Sequence, residues 1–226
     1  ILPALHLGFT PKGAVFDRLI EFYKERALGG AALLIVGGAY VDKLGTGGPG
    51  FLAVDDDSYI EGYRKLTEAI HQGGAKSALQ LFHAGRYTNS RSSGSQSLAP
   101  SAVASKLTRE VPKEMTQEDI TKTAIAFGEG ARRAKEAGFD AIEIIGSTGY
   151  LISQFLSPLT NKRTDKYGGS LENRTRFALD VIDAIRKKVG KDFPMIFRLT
   201  AADLMEGGIP LEENVEIAKI LEKAGV

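Results

Sequence analysis

The chain has 226 residues and a formal net charge of +1; 43% of its residues are hydrophobic and 25% are charged. This near-neutral balance gives no reason to expect nucleic acid as a partner, and no apolar run approaches the roughly 20 residues that a membrane span needs. The absence of cysteine excludes disulfides, thiolate metal sites and a cysteine nucleophile within these residues, and it favours a cytoplasmic location.

Apolar runs alternate along the chain with segments in which apolar residues recur at helical spacing. The run AALLIVGGAY is continuously apolar, which is typical of a strand covered on both faces in a parallel sheet. The predicted strands span residues 1–9, 31–40, 76–85, 140–145 and 194–200. The predicted helices begin near Val15, Ser58, Thr116, Ser170 and Glu212.

Several helix ends and loops carry more specific signals. Thr116 and Asp119 resemble a capping box at the start of a helix, with Asp in place of the usual Glu or Gln. The small, polar stretch 90–102 is predicted to be a long surface loop. The run 161–169 is predicted to brace a loop that leads into the next helix, and 224–226 is predicted to lead into a sixth strand.

Alternating strands and helices imply right-handed crossovers and a parallel sheet, so the fold class is α/β. No G-x-G-x-x-G motif follows the first strand, which argues against a dinucleotide-binding Rossmann fold. Long insertions after the strands favour a (β/α)8 TIM barrel with about the first five β/α units present, as one domain over 1–226. Because a barrel without its last strands would leave unpaired edges, and the chain does not begin with Met, we expect the natural protein to be longer.

In such a barrel, chemistry takes place at the carboxyl ends of the strands. Gln80 lies inside an apolar strand, and its amide needs partners, which are either neighbouring backbone groups or a flat heterocycle. Arg198 is costly to bury without an anionic partner. It either pairs with Glu143 or Asp203, or it serves a bound anion or an electron-rich ring; its position near a strand end favours the ligand.

Five other residues near strand ends leave alternatives open. Gly37 and Gly38 either need a positive φ or allow a ligand to approach closely. His6 and His83 could bind a metal, but the chain has only three histidines and no supporting carboxylate spacing, so we expect structural hydrogen bonds and no metal. Tyr150 either packs or gives a proton to a carbon that is becoming a carbanion.

Three stretches of the chain carry a family resemblance. They are LQLFHAGR at 79–86, GYLISQFLSPLTNKRTDKYGGSLENRTRF at 149–177 and FRLT at 197–200. In content and order the chain resembles, along nearly its whole length, the old yellow enzyme family of FMN-dependent oxidoreductases. The resemblance implies a (β/α)8 barrel that reduces activated C=C bonds, with FMN as the cofactor and NAD(P)H as the electron donor.

The resemblance also implies roles for individual positions. The first-strand segment that lies along the flavin, and whose last position tunes the ring, matches Pro3, Ala4, Leu5 and His6. Gly38 matches the small residue beside the flavin, and Gln80 matches the amide that bonds its pyrimidine edge. Arg198 matches the cation near flavin N1 and O2, and Tyr150 matches the proton donor.

One departure from the family pattern bears on the substrate. Typical members have His-x-x-His or His-x-x-Asn after strand four, where these residues hold the substrate carbonyl oxygen, whereas this chain has Ile145 and Thr148. The sequence IIGSTGYLI is more similar to the 2,4-dienoyl-CoA reductase branch, which implies an α,β-unsaturated acyl thioester or acid as the substrate. Ile145, Thr148 and Tyr150 would contact that substrate, and Thr148 could donate one weak hydrogen bond.

The expected function is an FMN-dependent ene-reductase in which flavin N5 gives a hydride to the β-carbon and Tyr150 protonates the neighbouring carbon. An iron–sulfur cluster and an FAD domain, found in longer members of that branch, could belong only to a longer parent chain, as could the strands that hold the FMN phosphate. The expected partner is a small unsaturated acyl substrate, with a homo-oligomer as a further expectation. The alternatives are an amine dehydrogenase relative that oxidises a C–N bond, or a non-catalytic, incomplete barrel that acts as a binding or scaffold fragment.

Overall fold

The computed structural model describes the whole chain, residues 1–226, as a parallel sheet covered by helices. The β-strands are β1 (Leu33–Tyr40), β2 (Leu52–Ala53), β3 (Lys76–Phe82), β4 (Leu98–Ala99), β5 (Lys113–Glu114), β6 (Ala141–Gly146) and β7 (Met195–Leu199). The α-helices are α1 (Asp17–Leu28), α2 (Ile60–Gln72), α3 (Ser90–Ser93), α4 (Gln117–Glu136), α5 (Leu151–Leu156), α6 (Leu171–Val189) and α7 (Leu211–Lys223). The main sheet has the order β2-β1-β3-β6-β7 and is parallel throughout, while β4 pairs with β5 separately. None of the helices combines the length and the hydropathy needed to cross a membrane.

The first predicted strand, over 1–9, is mostly irregular. Only Leu2 pairs with the sheet: its N–H donates to the carbonyl of Leu33 and its own carbonyl accepts from Ile35, both at 2.9 Å. The next residue, Pro3, has no N–H to continue the ladder. The segment therefore lies beside β1, as a first barrel strand would, but the prediction of a regular strand is wrong.

The two faces of the main sheet have different environments because successive side chains of a strand point to opposite sides. The outer face packs against the helices within a core of 41 buried residues. Its strand residues include Leu34, Val36, Leu79, Leu81, Ile142 and Ile144. On the inner face, Ile35, Ala78 and Ala141 form a small apolar cluster. Further along the same strands, the inner side chains become polar, beginning with Gln80 and Glu143.

The helix caps follow the sequence signals. The N–H of Asp119 donates to the hydroxyl of Thr116 at 3.1 Å, and the N–H of Thr116 donates to the Asp119 carboxylate at 2.9 Å, which confirms the capping box of α4. The hydroxyl of Ser170 accepts from the N–H of Asn173 at 3.3 Å and caps α6. Residues 224–226 form the turn that ends α7, and the sixth strand that they were expected to lead into stays a prediction.

The stretch 90–102 differs from the predicted surface loop. It contains α3 and β4, and its residues 97–101 are buried. The reason lies in partners distant in sequence: β4 pairs with β5, and the buried guanidinium of Arg163 donates to the carbonyl of Pro100 at 2.9 Å. The small polar residues of this stretch therefore pack closely and allow backbone pairing, in addition to being compatible with solvent.

A carboxylate network closes the amino end of the sheet. Asp140, immediately before β6, accepts hydrogen bonds from Lys76 Nζ at 2.7 Å, from the N–H of Ser77 at 2.9 Å and from His71 Nε2 at 2.8 Å. Partial burial by itself would raise the pKa of Asp140, but these hydrogen bonds lower it to about 2. The network ties α2 and β3 to the start of β6.

Candidate active site

A cavity of about 210 Å³ opens at the carboxyl ends of the main strands. It is lined by Ala4, His6, Gly38, Phe51, Gln80, Phe82, Ile145, Thr148, Tyr150 and Arg198. All but the two phenylalanines were predicted as site residues. The structure does not bring Pro3 and Leu5 to the cavity, and both are exposed. Adjacent residues of an extended segment point in opposite directions, so Ala4 and His6 face the cavity while their neighbours face away.

The amide of Gln80 is held by a carboxylate. Its Nε2 donates to Oε1 of Glu143 at 2.6 Å, and both side chains are buried. The register of β3 and β6 places the two residues side by side. No group of the chain donates to the amide oxygen of Gln80, so the alternative in which neighbouring backbone groups satisfy this amide is not observed. The oxygen is available to a ligand.

Gly37 and Gly38 have ordinary strand conformations, so the interpretation that they need a positive φ is wrong. Their lack of a side chain makes room for other residues. A Cβ on Gly38 would lie 3.0 Å from the amide oxygen of Gln80 and 3.1 Å from the ring of Phe82, and a Cβ on Gly37 would overlap Ala4. Glycine at position 38 therefore allows the Gln80 amide to lie against β1.

Arg198 lines the cavity as a cation without a protein partner. It lies on β7 in register with Ile145 of β6, and it is exposed. The two carboxylates considered as its partners are engaged elsewhere: Glu143 accepts from the amide described above, and Asp203 accepts from the hydroxyl of Ser157 at 2.6 Å. Neither carboxylate pairs with Arg198, so the ion-pair alternative is not observed, and the guanidinium is available to a ligand.

Aromatic rings form one wall of the cavity. The ring centroid of Tyr150 lies 5.2 Å from that of Phe82 and 6.3 Å from that of Tyr87, and His6 stacks on Phe51 at 3.7 Å. Burial, together with the neighbouring Tyr87 phenol, raises the pKa of Tyr150 above its ordinary value of 10.0. The phenol therefore keeps its proton at neutral pH, and its oxygen makes no hydrogen bond within the chain, so it can act as a proton donor.

Thr148 adopts a left-handed backbone conformation, with φ of 57°, which is rare for a β-branched residue. Its N–H donates to the hydroxyl of Thr200 at 3.3 Å, and its own hydroxyl donates to the carbonyl of Ser147 at 2.8 Å. Backbone strain of this kind is frequent where a chain builds a functional site. Because the hydroxyl proton is already engaged, a hydrogen bond from Thr148 to a substrate would require breaking the bond to Ser147.

The two histidines considered as metal ligands, His6 and His83, differ in their surroundings. No group of His, Asp and Glu side chains in the chain is arranged to hold a metal ion. The buried ring of His83 accepts from the N–H of Gly85 at 3.1 Å, and burial lowers the pKa of His83 to about 4, which the charge of Asp42 opposes only in part. The ring of His83 is therefore neutral at pH 7. Burial also lowers the pKa of His6.

A larger cavity, of about 760 Å³, shares Thr148 with the first. Its walls come from the segments after β3, β4, β6 and β7. They combine apolar side chains with charged ones, namely Val103, Leu107, Leu159 and Met205 with Arg86, Lys106 and Asp203. Gln154 of α5 connects two of these loops, because its amide oxygen accepts from the N–H of Arg86 at 3.1 Å and its amide nitrogen donates to the carbonyls of Ala84 and Gly149 at 3.1 and 2.6 Å.

The polar run 161–169 braces the loop after β6, as predicted. The amide nitrogen of Asn161 donates to the carbonyls of Phe155 and Tyr167, both at 2.7 Å. Arg163 is buried and donates to the carbonyl of Met115 at 2.7 Å. Helix α5, which lies in this connection and is buried along its whole length, was missed from the sequence.

The sequence analysis missed Phe51 and Phe82 in the smaller cavity, and in the larger cavity it named only Thr148 as a site residue, so Gln154 was among those missed. Phe82 lies two residues after Gln80 on the same strand, so the period-2 alternation of a strand could have placed both on one face. Gln154 is a buried amide among apolar residues, the same signal that singled out Gln80. Phe51 follows the glycine-rich stretch 45–50, and no spacing rule connects it to the cavity.

Comparison with known sequences places this site in a family of flavin oxidoreductases. A family model described as the NADH:flavin oxidoreductase / NADH oxidase family matches residues 2–226. The chain is 50% identical over 226 residues to a metal reductase of Desulforamulus reducens, covering 100% of this chain and 34% of that protein. It is 46% identical over 216 residues to an NADH oxidase of Thermoanaerobacter brockii, covering 95% and 33%. The chain thus spans about a third of the length of these curated relatives.

Solved structures share the fold as well. A 2-naphthoyl-CoA reductase in complex with 2-naphthoyl-CoA has a TM-score of 0.95 and 39% identity, covering 99% of this chain and 36% of that chain. An old yellow enzyme homologue from Zymomonas mobilis has a TM-score of 0.90 and 29% identity, covering 100% and 67%. The chain therefore belongs to the NADH:flavin oxidoreductase / NADH oxidase family, within the old yellow enzyme group. The predicted α/β class and the incomplete TIM barrel are confirmed.

The residues of the smaller cavity fit the flavin that the family description implies. The amide oxygen of Gln80 has no donor in the chain, and the guanidinium of Arg198 has no anion. A flavin ring offers an imide N–H to the first and electron-rich oxygens to the second. The aromatic wall and the side-chain-free surface at Gly38 suit a flat ring.

Proposed function

We propose that residues 1–226 are the first part of an FMN-binding barrel domain in a protein that reduces C=C bonds conjugated to an acyl thioester or acid. The observation that carries the proposal is the single cavity that brings together an amide, a guanidinium and a phenol, those of Gln80, Arg198 and Tyr150. NAD(P)H is the proposed electron donor, because the family description and one relative both name NADH.

The chain's own groups have defined tasks in this proposal. FMN, when bound, supplies the hydride for the β-carbon of the alkene. Tyr150 holds on its phenol oxygen the proton that the neighbouring carbon needs, and its raised pKa keeps that proton in place at neutral pH. Arg198 stabilises negative charge at the pyrimidine edge of the ring, and Gln80 orients that edge by hydrogen bonds.

Two observations favour an acyl thioester over a simple enone. Ile145 is buried and apolar where typical relatives carry a histidine, so the cavity lacks an imidazole for a ketone oxygen. The larger cavity, which begins at Thr148, has room for a long substituent, and beside one carboxylate its lining offers two cations, Arg86 and Lys106, to a chain that ends in phosphates. A structure similar to this chain holds 2-naphthoyl-CoA.

The remaining expectations concern the parent protein. An iron–sulfur cluster and FAD would belong to residues outside this chain, which spans about a third of its curated relatives. The cytoplasmic location and the homo-oligomer stay predictions.

The absorbance spectrum of the purified full-length protein that contains residues 1–226 tests the cofactor. A band near about 450 nm, from oxidised bound FMN, is the expected result. A colourless but folded protein would contradict the FMN site and favour the binding or scaffold alternative. A yellow protein that oxidises a methylamine and leaves an unsaturated acyl thioester unchanged would favour the amine dehydrogenase alternative.

A further inference from the structure

Glu143 is a carboxylate inside the barrel with no role in the mechanism described above. It lies on the inner face of β6, is 5% exposed and forms no ion pair. Its hydrogen bond from Nε2 of Gln80, at 2.6 Å, is the contact that engages it. Burying a carboxylate without a cation costs free energy that an apolar residue at the same position would avoid. A specific task for the carboxylate would account for this cost.

The chemistry of the pair determines how the Gln80 amide is oriented. A carboxylate only accepts hydrogen bonds, whereas a primary amide donates at nitrogen and accepts at oxygen. The end of the amide that faces Glu143 is therefore its nitrogen, because two facing oxygens would repel. The oxygen lies on the other side, against β1, where a Cβ on Gly38 would come within 3.0 Å of it. One N–H and the carbonyl oxygen of Gln80 are left free.

We propose that Glu143 is a positioning residue that fixes the orientation of the Gln80 amide and thereby selects a ring with an unsubstituted imide edge. A free N–H beside a free carbonyl oxygen is complementary to a ring edge that offers a carbonyl oxygen beside an N–H. A ring alkylated at the imide nitrogen has lost the donor that Gln80 needs. The inference rests on the proposed function for its ligand, the flavin ring, while the amide orientation is a property of the chain alone.

The orientation is tested without flavin by the ¹⁵N–¹H side-chain signals of Gln80. In the native chain, the amide proton bonded to the carboxylate is expected downfield, and Glu143→Gln, which can also donate, is expected to shift it upfield. Glu213→Gln is the matched control, because it replaces a carboxylate that pairs with Arg174 at 2.9 Å outside the cavity. Gln80 signals that are the same in the native chain and in Glu143→Gln would overturn the proposal.

The selectivity is tested by titrating the full-length protein that contains these residues, after removal of its own flavin, with FMN and with N3-methyl FMN. The native chain is expected to prefer FMN by about tenfold, the worth of one hydrogen bond, and Glu143→Gln by less than roughly threefold. Glu143→Asp keeps an acceptor-only group and is expected to retain most of the preference, which separates loss of the carboxylate from loss of packing. An undiminished preference in Glu143→Gln would overturn the proposal. A chain that binds neither flavin would contradict the proposed function, and the amide signals would then decide this inference by themselves.

Discussion

The two ends of the parallel strands differ in how their polar groups are satisfied. At the amino end, Asp140 accepts four hydrogen bonds, from Lys76, from His71 and from the N–H and hydroxyl of Ser77, so its carboxylate is satisfied within the chain. At the carboxyl end, Arg198 has no anion, and the phenol of Tyr150 and the amide oxygen of Gln80 have no protein partner. The difference indicates that the amino end contributes stability, whereas the carboxyl end keeps polar groups available to a ligand.

The largest expected effect concerns the proton donor. Tyr150→Phe removes the phenol oxygen but keeps the ring that packs on Phe82. Reduction of an unsaturated acyl thioester should slow by about 100- to 1,000-fold, because a positioned general acid contributes roughly this much. Stopped-flow measurement of flavin reoxidation by the substrate gives the rate.

Reduction of the flavin and reduction of the substrate can be measured separately, which provides the control for Tyr150→Phe. Reduction of bound FMN by the nicotinamide needs no phenolic proton, so its rate should be unchanged in Tyr150→Phe. Equal turnover of the native protein and the variant would show that Tyr150 is not the proton donor. The carboxyl end of the sheet would then have no assigned proton donor.

The next effect concerns the unpaired cation. Arg198→Met should weaken FMN binding by roughly ten- to a hundredfold, since hydrogen bonds from a charged group are worth about 1.5–3 kcal/mol. The melting temperature of the flavin-free chain should not fall, because the guanidinium has no protein partner to lose. Fluorescence titration with FMN measures the flavin affinity, and calorimetry measures the melting temperature. Arg91→Met, which removes an exposed arginine outside the cavity, is the control; equal flavin retention in both variants would refute the role of Arg198.

A substitution at the amino end should have the opposite effect: it should lower stability and leave FMN binding unchanged. Asp140→Asn should lower the free energy of unfolding by about 1 kcal/mol, after allowance for solvent screening of this near-surface network, and leave FMN affinity unchanged. Because the folded pKa of about 2 lies below the ordinary value of 3.8, the stabilisation is complete above pH 3.8 and is lost as the pH falls toward 2. Urea unfolding between these pH values should show a shallower acid dependence in the variant. A variant as stable as the native chain, or one that loses flavin, would break the contrast between the two ends.

The smallest effect concerns backbone strain at the carboxyl end. Thr148→Gly should raise the free energy of unfolding by about 1 kcal/mol, because glycine adopts a positive φ without a steric penalty. Substrate affinity should change less than about threefold, since the Thr148 hydroxyl is already bonded to Ser147. Unfolding and substrate titrations of the same preparation measure both. A destabilised variant would mean that the bond to Thr200 outweighs the strain.

The fold could be predicted from the sequence where local signals and packing agree. The helix caps at Thr116 and Ser170 and the apolar runs of β1 and β6 carry their own signals, so their positions were close to those observed. The short strands β4 and β5 could not be predicted, because two residues carry no periodicity and their pairing depends on Arg163, which lies far along the chain.

The site was predictable mainly through its strand positions. Gln80 and Arg198 each interrupt an apolar strand, which marks a polar group on an inner face, and the family resemblance placed Tyr150. The pairing of Gln80 with Glu143 was not foreseen, although both lie within apolar strands, because the sequence does not give the register between β3 and β6. The left-handed backbone conformation of Thr148 was not predicted, because neither its residue type nor its neighbours indicate a positive φ.

The three hydrogen bonds of Gln154 join the segment after β3 to the segment after β6. These two walls of the larger cavity are therefore held in a fixed position relative to each other. Evolution or engineering that alters the range of acyl groups would therefore meet least resistance at Leu107 and Met205, whose side chains line this cavity and are exposed. Redesign that begins at Gln154 would instead loosen both walls together.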